Sequence, residues 1–357
     1  MRTISAALRS DISDAADSGM LSRLKPAVAE KDLHITDSLH ALANIRLSHV
    51  AWHRIRSRGD PRPAQVDVST RLVFAGGTCL SKAHGLIERM SEDIDMKVVL
   101  EPVPDGYALP KGQSDRARLG DLHQKVQECI AGLGFECVRP PNVTNPVTRD
   151  SRRYYCLMVS YGACFQDFSG VLRPQLKLEL IQRPLELGTE ELEMGYLLDE
   201  FLPRMHPFRF SMSCISVAET LAEKVLSLLR RCAWKWDGHQ RCAFDATLVR
   251  HIYDVWRIGE CKPEAMTAAL QIFALLVEKE RLAFRGQHPE FAHDPYAVLC
   301  RALKRADGDY TLREHFDRRL KPLLFAAEEP DFQTCFAAFR AMAGSLLGCL
   351  RRPVVRA

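Results

Sequence analysis

Apolar positions along this chain follow a helical spacing first, an alternating one next, and a helical one again to the end. From Glu30, "EKDLHITDSLHALANI" puts Leu33, Leu39, Leu42 and Ile45 near helical spacing. Residues 54–68, "RIRSRGDPRPAQVDV", are basic, contain proline and have no period, which predicts an exposed loop. "RLVFAGG" then reads as a short buried strand ending in a glycine turn. "TCLSKAHGLIERM" follows as a helix whose first turn carries Thr78 and Ser81. "DIDMKVVL" alternates: Ile94, Met96, Val98 and Leu100 face one side, Asp93 and Asp95 the other.

A Pro/Gly loop over 102–114 leads to a helix, "DRARLGDLHQKVQECIAGLG". Strands are predicted at "FECVR", "RRYYCLMVSY" and "PQLKLELI". In the last, Leu176, Leu178 and Leu180 share one face, and Lys177 and Glu179 the opposite one. Beyond about residue 212 the period turns helical in "SVAETLAEKVLSLLRRCAWKW", "AFDATLVRHIYDVWRI" and "PEAMTAALQIFALLVEK". The expected architecture is α+β. A polar lead-in with a short helix (1–28) precedes a mixed sheet with flanking helices (29–212), and a helical domain (213–357) follows.

Composition narrows the picture only a little. The 357 residues are 46% apolar and 26% charged, the make-up of an ordinary globular protein. The 49 basic and 45 acidic residues nearly cancel, so a nucleic-acid partner is permitted but not demanded. Twelve cysteines are scattered without a CxxC pair or clustering with histidine, and no secretory or membrane-spanning apolar run appears. Free thiols in a reducing cytoplasm, no membrane and no structural zinc site are the expectations.

Candidate chemistry sits between residues 74 and 99. Asp93 and Asp95, two apart on a strand, send both carboxylates from one face about 6–7 Å apart. Like charges that close repel unless a cation lies between them, and hard oxygen ligands suit Mg²⁺ carrying substrate phosphates. A third acid on a neighbouring strand would complete a two-metal clamp, and Glu179 is the candidate. Gly76 and Gly77 let backbone N–H groups approach a phosphate, with hydroxyl donors available from Thr78 and Ser81. Taken alone, each half of this stretch is equally a solvated strand edge. The order of strand, glycine pair, helix, acid-bearing strand and later acid is more specific.

In that order, "FAGGTCLSKAHGLIERMSEDIDM" resembles the signature of the AbiEii/AbiGii nucleotidyltransferase toxins, within the DNA polymerase β-like nucleotidyltransferase superfamily. "EKDLHITDSL", "LKLEL", "AETLAEKVLSLLRR" and "LVRHIYDVW" are similar to further motifs of that family, so the likeness runs from about Glu30 to Trp256. It implies a nucleotidyltransferase fold with Gly77 and Thr78 at the triphosphate, Asp93 and Asp95 as metal ligands, and Glu179 as the acid that helps deprotonate the attacking hydroxyl. Lys224 matches a phosphate-holding lysine and Asp254 an acid of the helical domain. Glu30 and Asp32 match a motif without a stated role. His251 stands where many relatives carry an acid and receives none. The spacing of fifteen residues between Gly77 and Asp93 is that of the toxin subgroup.

The implied activity moves a nucleoside monophosphate from an NTP to an acceptor hydroxyl with two Mg²⁺ ions. The implied setting is the toxin of a bacterial toxin–antitoxin or phage-defence pair, with a tRNA 3′ end as acceptor and an antitoxin encoded nearby. Transfer onto a Ser, Thr or Tyr hydroxyl of a protein would use the same site, and a non-catalytic nucleotide- or antitoxin-binding module remains the rival from another class. Lys224, Arg230, Arg231, Lys235, Arg241, Arg250 and Arg257, with Trp234, Trp236 and Trp256 between them, form either a basic wall for RNA or solvated helix faces over a tryptophan core.

Overall fold

A computed structural model of the chain describes residues 4–55, 60–137, 146–167, 170–202, 207–239 and 244–351. They fall into two compact units, Met1–Ala83 with Ser91–Ile215, and His84–Met90 with Ser216–Ala357. The fold is α+β: a curled mixed sheet with flanking helices, followed by a helical region, as the pattern predicts. No helix among the described residues is long and apolar enough to cross a membrane.

The first unit opens with α1 (Ala6–Asp17) and α2 (Pro26–Ala43), then β1 (Leu47–His53), β2 (Gln65–Ala75), α3 (Gly76–Lys82) and β3 (Asp93–Leu100). After β4 (Tyr107–Ala108) come α4 (Asp115–Gly132), β5 (Glu136–Cys137), β6 (Val147–Arg149), β7 (Tyr154–Ser160) and β8 (Gln175–Gln182). β9 (Glu190–Gly195), α5 (Leu198–Phe201) and β10 (Arg209–Cys214) complete it. The main strand order is β4-β1-β2-β3-β8-β7-β5, with β10 beside β2 and β9. β3 and β8 run parallel, between antiparallel neighbours β2 and β7.

Alternation decides which face is covered. Phe74, Ile94, Met96, Leu178, Leu180 and Leu157 are all buried on one side, each such side chain contributing roughly 1.5–3 kcal/mol over an exposed one. α4 closes that side: His123 stacks on Tyr155 with ring centroids 4.3 Å apart, and the buried Arg118 donates to the carbonyls of Ser69 and Glu101 at 2.7 and 3.0 Å.

Several expectations change. β1, β9 and β10 carry no clear alternating signal. In β1 the inward positions are His49 and Ala51, whereas the apolar Trp52 points out, which inverts the usual pattern. The supposed loop over 54–68 includes the start of β2, although residues 56–59 lie outside the described set. The helix expected through Met90 ends at Lys82. Gly85 takes φ +62°, a conformation that ends a helix at little cost only for glycine. Beyond it the chain is extended, with Met90 N donating to Leu323 O at 2.8 Å and Phe325 N to Glu88 O at 3.0 Å.

The second unit holds this segment and the helices α6 (Val217–Trp236), α7 (Arg250–Cys261), α8 (Ala265–Ala283), α9 (Pro289–His293), α10 (Pro295–Asp307), α11 (Tyr310–His315) and α12 (Phe332–Cys349). Ser216 caps α6 by accepting from Glu219 N at 3.2 Å, satisfying one of the orphan donors of the first turn. Leu221, Val225, Leu228 and Cys232 make its buried stripe.

Candidate active site

The parallel pairing of β3 with β8 sets Asp93 opposite Lys177 and Asp95 opposite Glu179. Register partners in neighbouring strands leave the same face about 4.8 Å apart. The four side chains therefore form one patch. Lys177 Nζ lies 2.6 Å from Glu179 Oε2 and 3.8 Å from Asp93 Oδ2. On the other flank, the Tyr154 hydroxyl of β7 donates to Glu179 Oε1 at 2.5 Å. Burial alone would lower the Lys177 pKa, but Asp93, Glu179 and Asp95 raise it above the ordinary lysine value, so the group is an ammonium. Burial, with the hydrogen bond to Glu179 and its charge, raises the Tyr154 phenol, which stays a donor. The patch is open: the side chains of Asp93, Lys177 and Glu179 are 40%, 34% and 17% exposed.

The glycine turn is built against these acids. Ala75, the last residue of β2, is the register partner of Asp95. Gly76 follows at φ +75°, where a Cβ would lie 2.8 Å from Asp95 Cγ. Only glycine fits there, because both the conformation and the space exclude a side chain. Gly77 and Thr78 are buried in the first turn of α3, and the Thr78 hydroxyl donates to the Asp93 carbonyl. That hydroxyl, expected as a phosphate donor, is thus spent on holding the first acid. Ser81 sits further along α3, partly exposed.

Behind the patch, three successive buried charges of α2 each hold a different segment. Glu30 accepts from the backbone N–H groups of Cys164 and Phe165 at 2.8 and 2.9 Å. Lys31 donates to Glu92 at 3.0 Å and to the Arg173 carbonyl at 2.9 Å, just ahead of β3 and β8. Asp32 accepts from Lys82 Nζ, at the end of α3, at 2.5 Å and from Leu197 N at 2.7 Å. The "EKD" run, left without a role by the sequence, ties together the segments that carry the turn and the acids.

Lys224 and Asp254 meet each other in the helical unit. The Asp254 carboxylate, fully buried, accepts from Arg89 Nε and Nη2 at 2.7 Å each, and its Oδ2 lies 2.7 Å from Lys224 Nζ. Burial alone would raise the Asp254 pKa, but Arg89 and Lys224 hold it well below the ordinary carboxylate range. Arg89, one residue short of Met90, is the partner the sequence did not reveal. Burial, then the charge of Lys224, brings the neighbouring His251 down to about 3, so it stays neutral.

Much of the supposed basic wall is spent inside the same unit. Arg230 pairs with Glu280 at 2.7 Å, Arg231 with Asp245 at 3.1 Å, and Arg257 donates to the Leu86 carbonyl at 3.0 Å. Lys235 lies over the Phe244 ring at 4.3 Å, and Arg241 falls outside the described residues. Lys177 and Tyr154 are the site residues that sequence reasoning did not name. Lys177 was visible as the face partner of Glu179, whereas Tyr154 carried no signal before strand order was known.

Residues 64–338 match the family described as nucleotidyl transferase AbiEii toxin, type IV TA system. No curated protein matches the chain. Among solved structures, the nucleotidyltransferase toxin MenT4 from Mycobacterium tuberculosis is 20% identical, over 96% of this chain and 99% of its own, with a TM-score of 0.44.

Proposed function

Because the chain belongs to the AbiEii nucleotidyl transferase toxin family of type IV toxin–antitoxin systems, we propose that the patch of Asp93, Asp95 and Glu179 is its catalytic centre. It transfers a nucleoside monophosphate from a nucleoside triphosphate to an acceptor hydroxyl, a tRNA 3′ end. The acceptor oxygen bonds to the α-phosphorus, the bond to the β-phosphate oxygen breaks, and pyrophosphate leaves. The observation that carries this reading is the register of Asp95 against Glu179, with Asp93 on the same face and Gly76 against Asp95.

The donor set suits a hard divalent cation, since three carboxylates share one part-exposed face of the sheet, with Lys177 against Asp93 and Glu179. Asp93, Asp95 and Glu179 would hold Mg²⁺, which when bound polarises the attacking oxygen and neutralises the leaving phosphate. Glu179 takes the acceptor's proton once Lys177 releases Oε2, and Tyr154 keeps the carboxylate in place meanwhile. Gly76 and Gly77 bring backbone toward the triphosphate. Thr78 positions Asp93 through its carbonyl. The cellular setting is the cytoplasm of a bacterium that also makes the cognate antitoxin, in a growth-control or phage-defence pair.

Incubation with Mg²⁺ and each labelled NTP, in the presence of total RNA or of total protein, tests this directly. Label in the tRNA fraction, absent for Asp93→Ala, is the expected result. Label on protein alone would overturn the RNA acceptor, and no label on either would overturn the activity.

A further inference from the structure

A second group of metal-ligating side chains lies in the helical unit, just past α6. His239 N donates to the Trp234 carbonyl at 3.1 Å, which folds His239 back onto the last turn of that helix. His288 and Glu290 flank Pro289, the first residue of α9. The three side chains offer two imidazole nitrogens and a carboxylate oxygen, all within 4.8 Å of one another. His239 Nε2 is 2.6 Å from Glu290 Oε2, and the two imidazole centroids are 5.2 Å apart.

An independent observation concerns His288, which is only 1% exposed. Its Nε2 is held by Asp237 Oδ2 at 3.0 Å, and Asp237 is itself fixed by Arg301 at 3.0 and 3.2 Å. Its Nδ1 is buried and has no hydrogen-bond partner. With Nε2–H donated to the carboxylate, Nδ1 carries the lone pair. A carboxylate that sets the tautomer of a buried histidine, leaving the other nitrogen open, is the outer shell of a metal-ligating imidazole.

We propose that His239, His288 and Glu290 form a zinc site, separate in its residues from the acids of the sheet. Two imidazoles with one carboxylate suit zinc, whereas Mg²⁺ prefers oxygen ligands alone. Ligands at about 2.05 Å in tetrahedral geometry stand roughly 3.3 Å apart. The His239–Glu290 pair must therefore open from 2.6 Å, and the widest side of the triangle must close from no more than 4.8 Å. Glu290 is exposed and His239 partly so, so side-chain rotation suffices, and the open side leaves a fourth position to water. Binding replaces the hydrogen bond between His239 and Glu290 and ties the end of α6 to the start of α9. The cysteine pattern could not reveal such a site, because its ligands are nitrogen and oxygen and come from segments about fifty residues apart.

Metal-free, untagged, full-length protein is titrated with Co²⁺, then with Zn²⁺. The expected result is the visible absorption of a four-coordinate nitrogen/oxygen cobalt site at one equivalent, its displacement by Zn²⁺, and a Tm raised by several degrees by Zn²⁺ but not by Mg²⁺. His239→Asn and Glu290→Gln change the more exposed ligands and spare the buried His288; both should melt like the wild type without metal and lose the cobalt spectrum and the zinc shift. Absence of a cobalt spectrum at one equivalent, or a spectrum and shift unchanged in both variants, overturns the proposal.

Discussion

The sheet and the helical unit each gather acids and bases, but they balance charge in opposite directions. On the sheet, Asp93 and Glu179 flank Lys177, Asp95 lies on the same face, and the group is part-exposed to water. In the helical unit, the single carboxylate of Asp254 takes both Arg89 and Lys224, out of reach of solvent. A sealed charge has to be matched within the fold, because nothing outside can reach it. Part-exposed acids on one face of a sheet stay within reach of a cation from solution. On this contrast we propose that the chemistry belongs with the sheet group and that the Asp254 group has a structural role. For Lys224 to hold a phosphate it would have to loosen its grip on a buried carboxylate.

The sharpest way to break this contrast is to remove one acid from each group. Asp93→Ala should cut nucleotide transfer by about 10³-fold and leave the unfolding midpoint close to the wild type. Asp254→Ala should do the reverse in kind. It removes the carboxylate that Arg89 and Lys224 share inside the fold, and equilibrium urea unfolding should show a loss of about 3–5 kcal/mol. If Asp254→Ala spared stability and abolished transfer, the structural assignment would be wrong.

Acid titration sharpens the same point. The folded Asp254 pKa is depressed, so its contribution is fully present above the ordinary value of 3.8 and is lost as pH falls through the lower folded value. Asp254→Asn should flatten that part of the acid-unfolding curve. Smaller effects probe the sheet alone. Gly76→Ala forces a side chain into a positive φ against Asp95 and should cost about 1–3 kcal/mol, with transfer falling further than the stability loss explains. Tyr154→Phe removes a hydrogen bond to a charged carboxylate worth about 1.5 kcal/mol. Its kcat should drop about tenfold with the nucleotide KM unchanged, as steady-state kinetics would show.

Much of the sheet group was legible before any coordinates. Alternation in "DIDMKVVL" and "PQLKLELI" assigned Asp93, Asp95, Lys177 and Glu179 to polar faces, since a strand has a period of two whatever it packs against. β1, β9 and β10 were not legible, because strands whose polar and apolar positions do not separate cleanly look like loops. The end of α3 was misjudged for a related reason: "AHGLIERM" has helical composition, but Gly85 turns the chain and residues 88–90 pair with 323–325.

By itself, then, the sequence determined the two structural regimes, the acid-bearing faces and the glycine that must stand beside them, because these follow from local period and from the steric limits of a single residue. Tertiary structure alone decided that Asp95 and Glu179 are register partners, that Tyr154 and Lys177 hold Glu179, and that Arg89 neutralises Asp254 from 165 residues away. It also decided that the Thr78 hydroxyl serves Asp93 and that "EKD" ties the end of α3 to the segments leading into β3 and β8. Those facts depend on which segments become neighbours, and neighbourhood is set by burial of the whole core rather than by any stretch within it.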